Sequence, residues 1–375
     1  MSLTPRRLNR ATLGRQVLLR REPLDVREGA HRVVALQAQE AASPYLALWN
    51  RLASFDPADL DAAFADRTVV KAPLMRVTLH AVHAHDYPAF HHAMLPALRA
   101  ARLRDRTFTA SGLSVAEADA LVPHLVEFAA QPRTGAEMED LIRARLAGHR
   151  PGVWWALRTY APLTHAPTGG PWSFGRRPSF LAAGAPLPPE QRAGSMQRLV
   201  RRYLEAFGPA SVADIARFTL YARSTVREAL TALAGEVEER KGPDGVQLFD
   251  VPGGLLPAED SPAPPRLLPM WDSVLLAYDD RSRVIPPEYR RVVIRHNGDV
   301  LPSVLVDGYV AGVWRPVEEG IEISAFHRLP DEVWDALESE ARALVALLSP
   351  RDPLAYRRYA RWWTALPSVD VRVLP

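Results

Sequence analysis

The sequence predicts an α+β fold, mainly α, made of three tandem winged-helix modules followed by a C-terminal β-barrel-like domain. Groups of helices followed by a two-stranded ribbon recur along the chain, and a proline-rich linker, SPAPPR, then introduces a different pattern of alternating β-branched residues. These features predict domains over residues 1–85, 86–194, 195–260 and 261–375.

The first module is predicted to contain four helices and a ribbon. Apolar residues at helical spacing, with arginines between them, predict a helix over residues 3–21. Further helices are predicted over residues 25–40 and 43–55, and a short fourth begins with Asp56 as its N-cap and Pro57 in its first turn. The segment TVVKAPLMRVTLHAV then gives two β-rich runs around Ala72-Pro73.

The next two modules repeat this order. In the second, helices are predicted over residues 88–105, 114–131 and 134–148, with Thr134 capping the last. The third gives the clearest local signal, because three amphipathic segments between residues 195 and 235 precede two strands around a Pro-Asp-Gly turn. Winged helices also bind proteins, but three copies in one chain favour a long partner such as a DNA duplex.

The C-terminal domain is predicted to be a small curved sheet or barrel. Residues 290–314 alternate β-branched residues around Asn297-Gly298 and Asp307-Gly308, which favour tight hairpin turns. The segment ISAF adds a strand, and residues 330–348 form a terminal amphipathic helix.

Composition excludes several classes of protein. The chain has no cysteine, which excludes disulfides, thiolate metal sites and cysteine nucleophiles. It has no long apolar run and no secretory signal pattern, so we expect a cytoplasmic protein without membrane contact. Lys71 and Lys241 are the only lysines among 46 basic residues. The arginine excess suits phosphate contacts but also fits codon bias in a GC-rich genome, and the net charge is only +3.

Two glutamines, Gln37 and Gln39, lie near the end of the helix predicted over residues 25–40. On a regular helix, positions two apart point about 200° away from each other, so both side chains face one ligand only where the helix ends, kinks or lies in a groove. Amides that cap a helix end or face water are the ordinary alternative. The spacing alone does not distinguish the two.

Nearly the whole chain resembles the AlkZ and YcaQ family of winged-helix DNA glycosylases. The similarity is sharpest in LNRATLGRQVLLRR, VVALQAQEAASPYLALWNRL, RPGVWWALRTYAPLTHAPTGGPWSFGRRPSF and LPMWDSVLLAYDDRSRVIPPEYR. The family fold, three winged helices and a C-terminal β-barrel, agrees with the predicted domains. The resemblance implies that Gln37 and Gln39 are the catalytic residues, since the AlkZ branch has glutamine at both positions whereas the YcaQ branch has aspartate at the second.

This resemblance implies a monofunctional glycosylase that unhooks azinomycin-type interstrand crosslinks in antibiotic self-resistance and leaves abasic sites. Alkylation at N7 makes the base cationic and a good leaving group, so an amide that orients water suffices where other glycosylases need a carboxylate. We therefore expect selectivity for cationic N7 adducts. Water is the expected nucleophile because no lysine lies near the glutamines in sequence.

The expected partner is damaged double-stranded DNA, bound by a monomer in an open channel, because a crosslinked base is not easily flipped. His80 is predicted to lie near this channel, and the stretch around Arg281 and Arg283 to touch a groove. Other arginines predicted to contact DNA are Arg6, Arg7, Arg10, Arg176, Arg177, Arg201 and Arg202. Solvated structural faces are the alternative for each.

A cluster of histidines suggests a metal site, but we predict no metal and no cofactor. The cluster comprises His80, His83, His85, His91 and His92. Neither a thiolate nor the chemistry of the resembling family supports zinc there. The competing function is a winged-helix transcription regulator without enzymatic activity, which would bind one undamaged sequence, usually as a dimer, and would not depend on the glutamines.

Overall fold

The computed structural model describes residues 2–184 and 187–375, which form a mixture of helices and strands as predicted. The elements of the first predicted module are α1 (Pro5–Arg15), α2 (Val26–Val33), β1 (Leu36–Gln37), α3 (Ser43–Trp49), α4 (Pro57–Ala65), β2 (Val69–Pro73) and β3 (Leu79–His83). As predicted, the Asp56 carboxylate caps α4 by accepting a hydrogen bond from the backbone of Ala58.

Three helices of this module are shorter than predicted, and α3 ends at Trp49 rather than at Phe55. Helix α1 ends at Arg15, and Val17 just after it has a φ of 56°, which is incompatible with a continuing helix. Helix α2 ends at Val33, and Val34 has a φ of 72° before the chain enters β1. The apolar run at residues 33–36 is buried throughout, and a short run of this kind does not distinguish helix from strand. The prediction of a helix through Gln39 is therefore wrong.

The second predicted module is mostly helical, and Thr134 caps α8 as expected through a capping box with Glu137. Its elements are α5 (Tyr87–Leu103), α6 (Arg106–Thr109), α7 (Val115–Phe128), β4 (Arg133–Thr134), α8 (Gly135–Arg145), α9 (Val153–Tyr160), β5 (Leu163–Ala166), β6 (Ser179–Ala182) and α10 (Pro189–Arg192).

One sheet joins the first two modules. Its six strands follow the order β1-β3-β2-β5-β6-β4, and every pair is antiparallel. The junction between the modules is the pairing of β2 with β5, where Lys71 lies opposite His165. Strands β2 and β3 are therefore part of a larger sheet rather than a separate ribbon.

The third predicted module has the elements that its sequence indicates. They are α11 (Ser195–Phe207), α12 (Val212–Thr219), α13 (Arg223–Ala232), β7 (Glu238–Lys241) and β8 (Gln247–Asp250). Ser211 caps α12, and β7 and β8 form a two-stranded sheet around Pro243–Gly245.

The C-terminal region contains an open antiparallel sheet. The remaining elements are β9 (Arg266–Leu268), α14 (Arg290–Val293), β10 (Ser303–Val306), β11 (Tyr309–Val317), β12 (Gly320–Ala325), α15 (Asp331–Leu348) and β13 (Asp370–Leu374). Their order is β9-β10-β11-β12-β13, and within residues 266–375 the two edge strands do not pair, so the prediction of a barrel is wrong. Asp307-Gly308 forms the predicted hairpin turn, but the strand predicted before Asn297 begins as α14.

Short 3₁₀ turns complete the chain at Met75–Val77, Pro243–Gly245, Ser273–Leu275, Arg281–Arg283, Pro287–Tyr289 and Arg357–Ala365. In the described part of the chain, no helix has both the length and the apolar character needed to cross a bilayer.

Candidate active site

The pairing of β1 with β3 positions the two glutamines. Gln37 lies opposite His80, and the backbone N–H of Ala38 donates to the carbonyl oxygen of Leu79 at 2.8 Å. Strand β1 ends at Gln37 and Gln39 follows it in a bend, so Gln37 lines a small cavity and Gln39 a separate, larger one. The two glutamines are therefore held next to β3 by a short strand and the bend after it, and not by the end of a helix.

Both amides contact the Thr78-Leu79 segment. The Gln37 amide nitrogen donates to the Thr78 hydroxyl at 3.2 Å, and the backbone N–H of Leu79 donates to the Gln39 side-chain oxygen at 3.3 Å. Gln37 is only 3% exposed, whereas Gln39 is exposed. The arrangement fixes one amide within the protein and leaves the other exposed to solvent.

His80 lies behind this pair and is fully buried. Its Nδ1 is 3.0 Å from the Thr78 carbonyl oxygen, and its Nε2 is 3.2 Å from a guanidinium nitrogen of Arg76. Burial, and secondly the charge of Arg76, hold the pKa of His80 well below its usual range, so the imidazole is neutral. The neutral ring donates from Nδ1 and accepts at Nε2. His80 is therefore close to the glutamines but buried, and its position near a DNA channel stays a prediction.

An open cavity of about 460 Å³ adjoins Gln39, and basic side chains dominate its polar lining. Its one lining carboxylate in the described chain, that of Glu40, pairs with Arg358 and accepts a hydrogen bond from the Tyr359 hydroxyl at 2.7 Å. The other charged or aromatic residues in the lining are Lys71, Arg102, Arg158, His165, Phe174, Arg176 and Phe180. The cavity thus suits an anion, such as a backbone phosphate, better than a cationic base.

Lys71 corrects the expectation that no lysine lies near the glutamines. It is distant from them in sequence, but β2 is next to β3 in the sheet, and Lys71 and Gln39 line the same cavity. Lys71 is 6% exposed, and burial lowers the pKa of its amine to about 8.

The first three arginines predicted to contact DNA have hydrogen-bond acceptors within the protein, and of the three only Arg10 is buried. Arg10 is fully buried and, like Arg6, pairs with Asp307 in the C-terminal region. Arg7 donates to the backbone carbonyl of Leu256 at 3.0 Å. Because α1 packs into the molecule here, these guanidiniums already have protein acceptors, and Arg10 has no surface left for DNA.

The remaining predicted arginines differ in their surroundings. Arg176 lines the cavity, and both Arg176 and Arg177 are exposed. Arg202 pairs with Asp86 and Glu205, while Arg201 lies 3.5 Å and 3.6 Å from carboxylate oxygens of Glu205 and Glu236. Arg281 is buried, and Arg283 donates to the Pro209 carbonyl and lies over the Tyr278 ring.

The five clustered histidines separate into three surroundings. His80 lies with Arg76, His91 and His92 line a different cavity, and His83 and His85 lie near His31. Donor atoms of His31, His85 and Asp86 fall within 4.8 Å of one another. Both Asp86 oxygens, however, already accept from Arg198 and Arg202 at 3.1 Å. The geometry favours an ion-pair network there, and no metal site is assigned.

Sequence reasoning missed Thr78, Arg76 and Arg158. Thr78 contacts the catalytic candidates only because β1 and β3 pair in one register, and a buried arginine such as Arg76 has no sequence signature. Alternation in LHAVH indicated the strand but not its partner.

The chain is similar to known DNA glycosylases in sequence and in fold. The family model described as "DNA glycosylase AlkZ-like" matches residues 30–347. A protein of Streptomyces sahachiroi named "Interstrand DNA cross-link repair glycosylase" is 27% identical over 342 residues, covering 83% of this chain and 87% of that protein. The solved structure "Streptomyces sahachiroi DNA glycosylase AlkZ" has a TM-score of 0.78 at 24% identity, covering 94% of this chain and 99% of that one.

Proposed function

The chain belongs to the AlkZ-like family of DNA glycosylases, and from this premise we propose that it hydrolyses the N-glycosidic bond of cationic N7-alkylated purines. The family assignment agrees with the resemblance found in the sequence and favours an enzyme over a transcription regulator. The observation that carries the proposal is the pair of amides on the Thr78-Leu79 segment, with exposed Gln39 at the rim of a basic cavity.

The two amides have different roles in this proposal. Buried Gln37 and the Thr78 hydroxyl form a fixed polar platform, and exposed Gln39 orients the attacking water. As the glycosidic bond breaks, the sugar gains oxocarbenium character, and amide oxygen dipoles stabilise that positive charge. Glutamine is not a base, so the reaction depends on the positive charge that N7 alkylation places on the leaving base.

We infer that the substrates include interstrand crosslinks of the azinomycin type. The Streptomyces sahachiroi relative is named for cross-link repair. An open cavity beside Gln39, rather than an enclosed base pocket, is compatible with a base that stays tied to both strands. In this proposal the three predicted modules are winged helices that hold the duplex, and the enzyme acts as a monomer on chromosomal DNA in the cytoplasm.

Excision itself uses water, as expected of a monofunctional enzyme. The sequence argument for water was that no lysine lies near the glutamines. It does not hold, because Lys71 lines the cavity beside Gln39. The fate of the abasic product is therefore a separate question from the excision step.

The test is excision from a duplex that contains N7-methylguanine, detected as alkali-labile abasic sites. Gln37→Ala and Gln39→Ala are each expected to slow excision by about 10²–10³-fold, the usual cost of losing one positioned polar group. Gln131→Ala, which removes an exposed glutamine elsewhere, is the control and keeps the parent rate. A double variant that excises as fast as the parent refutes the site. Absence of excision together with tight binding to one undamaged sequence favours the regulator.

A further inference from the structure

Position 71 is one of two in the chain where the basic residue is a lysine. The other 44 basic residues are arginines, so nearly all positive charges in this chain are carried by guanidinium groups. A guanidinium keeps its proton at any physiological pH, whereas an amine loses it readily when buried. Only an amine that has lost its proton is a nucleophile.

The surroundings of Lys71 act on its charge in two opposite directions. The face of the Phe174 ring lies 4.4 Å from Nζ and attracts the ammonium, but within residues 2–184 and 187–375 no carboxylate forms a salt bridge with it. Burial penalises an ammonium that has no counterion, and the pKa of about 8 leaves part of the amine unprotonated at neutral pH. Lys71 and Gln39 line the same cavity, so the lysine lies beside the proposed excision site.

We propose that Lys71 performs a second reaction, in which its amine attacks the abasic sugar left by base excision and cleaves the strand on the 3′ side. This inference rests on the proposed function as the source of the abasic site. It adds a lyase step to an enzyme that the sequence predicts to be monofunctional.

The reaction balances with the groups present. Lys71 Nζ forms a bond to C1′ of the ring-opened aldehyde, and the carbonyl oxygen leaves as water to give an iminium. The iminium acidifies C2′, whose proton passes to solvent, and the C3′–O bond breaks with release of the 5′-phosphate end of the downstream strand. Water then hydrolyses the imine and regenerates the amine.

The neighbouring arginines argue against a phosphate-binding role for Lys71. A guanidinium holds a phosphate through two parallel hydrogen bonds and suits that task better than an amine. Arg102, Arg158 and Arg176 line the same cavity and are placed to hold the phosphate that leaves. An amine that loses its proton among these arginines can perform nucleophilic chemistry that a guanidinium cannot.

Reductive trapping tests the proposal independently of excision. The protein is incubated with a duplex carrying a preformed abasic site and sodium cyanoborohydride, which converts the imine to a stable covalent adduct. The parent and Lys241→Arg, which retains the cavity amine, are expected to give the adduct, and peptide mapping should place it on Lys71. Lys71→Arg keeps the charge and Lys71→Met removes it, and both should lose the adduct.

Trapping should also increase as the amine loses its proton. The initial rate is expected to rise from pH 6.5 and level off above about pH 9, with a midpoint near the pKa of about 8. Thermal unfolding of both Lys71 variants checks that they fold, and either folded variant suffices for the comparison.

Two results overturn the proposal: no adduct with the parent, or an adduct that persists in a folded Lys71 variant. Release of N7-methylguanine by the parent, measured in parallel, keeps the two proposals separate. Excision without trapping rejects the lyase step alone, while trapping without excision rejects the proposed excision function.

Discussion

Helix α1 and the cavity beside Gln39 are both rich in basic residues, but their charges are balanced differently. On α1, Arg10 and Arg15 each meet a carboxylate of a distant segment, Asp307 and Asp250 respectively. Around the cavity, Arg158 and Arg176 are exposed, and neither forms a salt bridge with any described residue. Basic side chains of similar sequence character thus stabilise the fold in one region and remain available to a ligand in the other.

This difference shows that arginine density does not identify a DNA-binding surface. A buried guanidinium is tolerated only where a carboxylate and further acceptors replace water, so a buried arginine indicates an internal partner. An exposed arginine that has no carboxylate partner within the protein is free to pair with an external anion. The position of the carboxylates therefore separates the two roles, and only the tertiary structure reveals it.

The largest effect is expected from Arg15→Met. Arg15 donates to Asp250 through two hydrogen bonds of 2.6 Å and 2.9 Å, and both side chains are buried. Removing one partner leaves an uncompensated buried carboxylate, so urea unfolding should show a loss of about 3–5 kcal/mol in the free energy of unfolding. The excision rate per folded molecule should not change.

The control for Arg15→Met is Arg158→Met, the same chemical change at an exposed cavity arginine. Its free energy of unfolding should stay within about 0.5 kcal/mol of the parent. Pairing Arg15→Met with Asp250→Leu should restore part of the lost stability, since the orphaned carboxylate is then gone. If Arg15→Met were as stable as Arg158→Met, the distinction between the two regions would fail.

Much of the fold was predictable where local signals agree with the tertiary structure. In the third module, serine capping at Ser211, the amphipathic helices and the Pro-Asp-Gly turn specify their elements locally. The failures concern the ends of α1 and α3, residues 33–39 and the C-terminal sheet. A short buried apolar run fits helix or strand equally, and sheet closure depends on edges that lie far apart in sequence.

The candidate site was predicted only in part. Gln37 and Gln39 were identified through family resemblance, because their spacing alone favours two surface amides. Thr78 immediately precedes β3 and Lys71 lies in β2, and strand pairing across 40 residues has no local signature. The assignment of Arg10 to DNA failed because its partner, Asp307, lies near the other end of the chain.

His80 is buried like Arg10 and Arg15, but no described carboxylate pairs with it, and its imidazole stays uncharged. Its folded-state pKa lies well below that of the unfolded chain, so its contribution is present above about pH 6.5 and is lost as the pH falls below that value. The free energy of unfolding should fall by about 1 kcal/mol between pH 6.5 and 5.5 from this residue.

Urea unfolding at several pH values tests the His80 prediction. His80→Gln, which retains a donor and an acceptor without titrating, should reduce the slope of stability against pH in this range. His149→Gln, at an exposed histidine, is the control and should leave the slope unchanged. An equal slope in the His80 variant and the parent would show that burial does not keep this imidazole neutral.

The smallest effect is expected from single cavity arginines, and it concerns DNA binding rather than stability. If Arg158 or Arg176 neutralises one phosphate, its replacement by glutamine should reduce the slope of log affinity against log salt concentration by about 1. Fluorescence anisotropy with a duplex of fixed sequence at several KCl concentrations measures this slope. Arg201→Gln is the comparison, because carboxylates of Glu205 and Glu236 already lie near that guanidinium. Equal reductions in all three variants would mean that a surface arginine next to a carboxylate still binds a DNA phosphate. An internal carboxylate would then exclude DNA binding only for buried arginines such as those of α1.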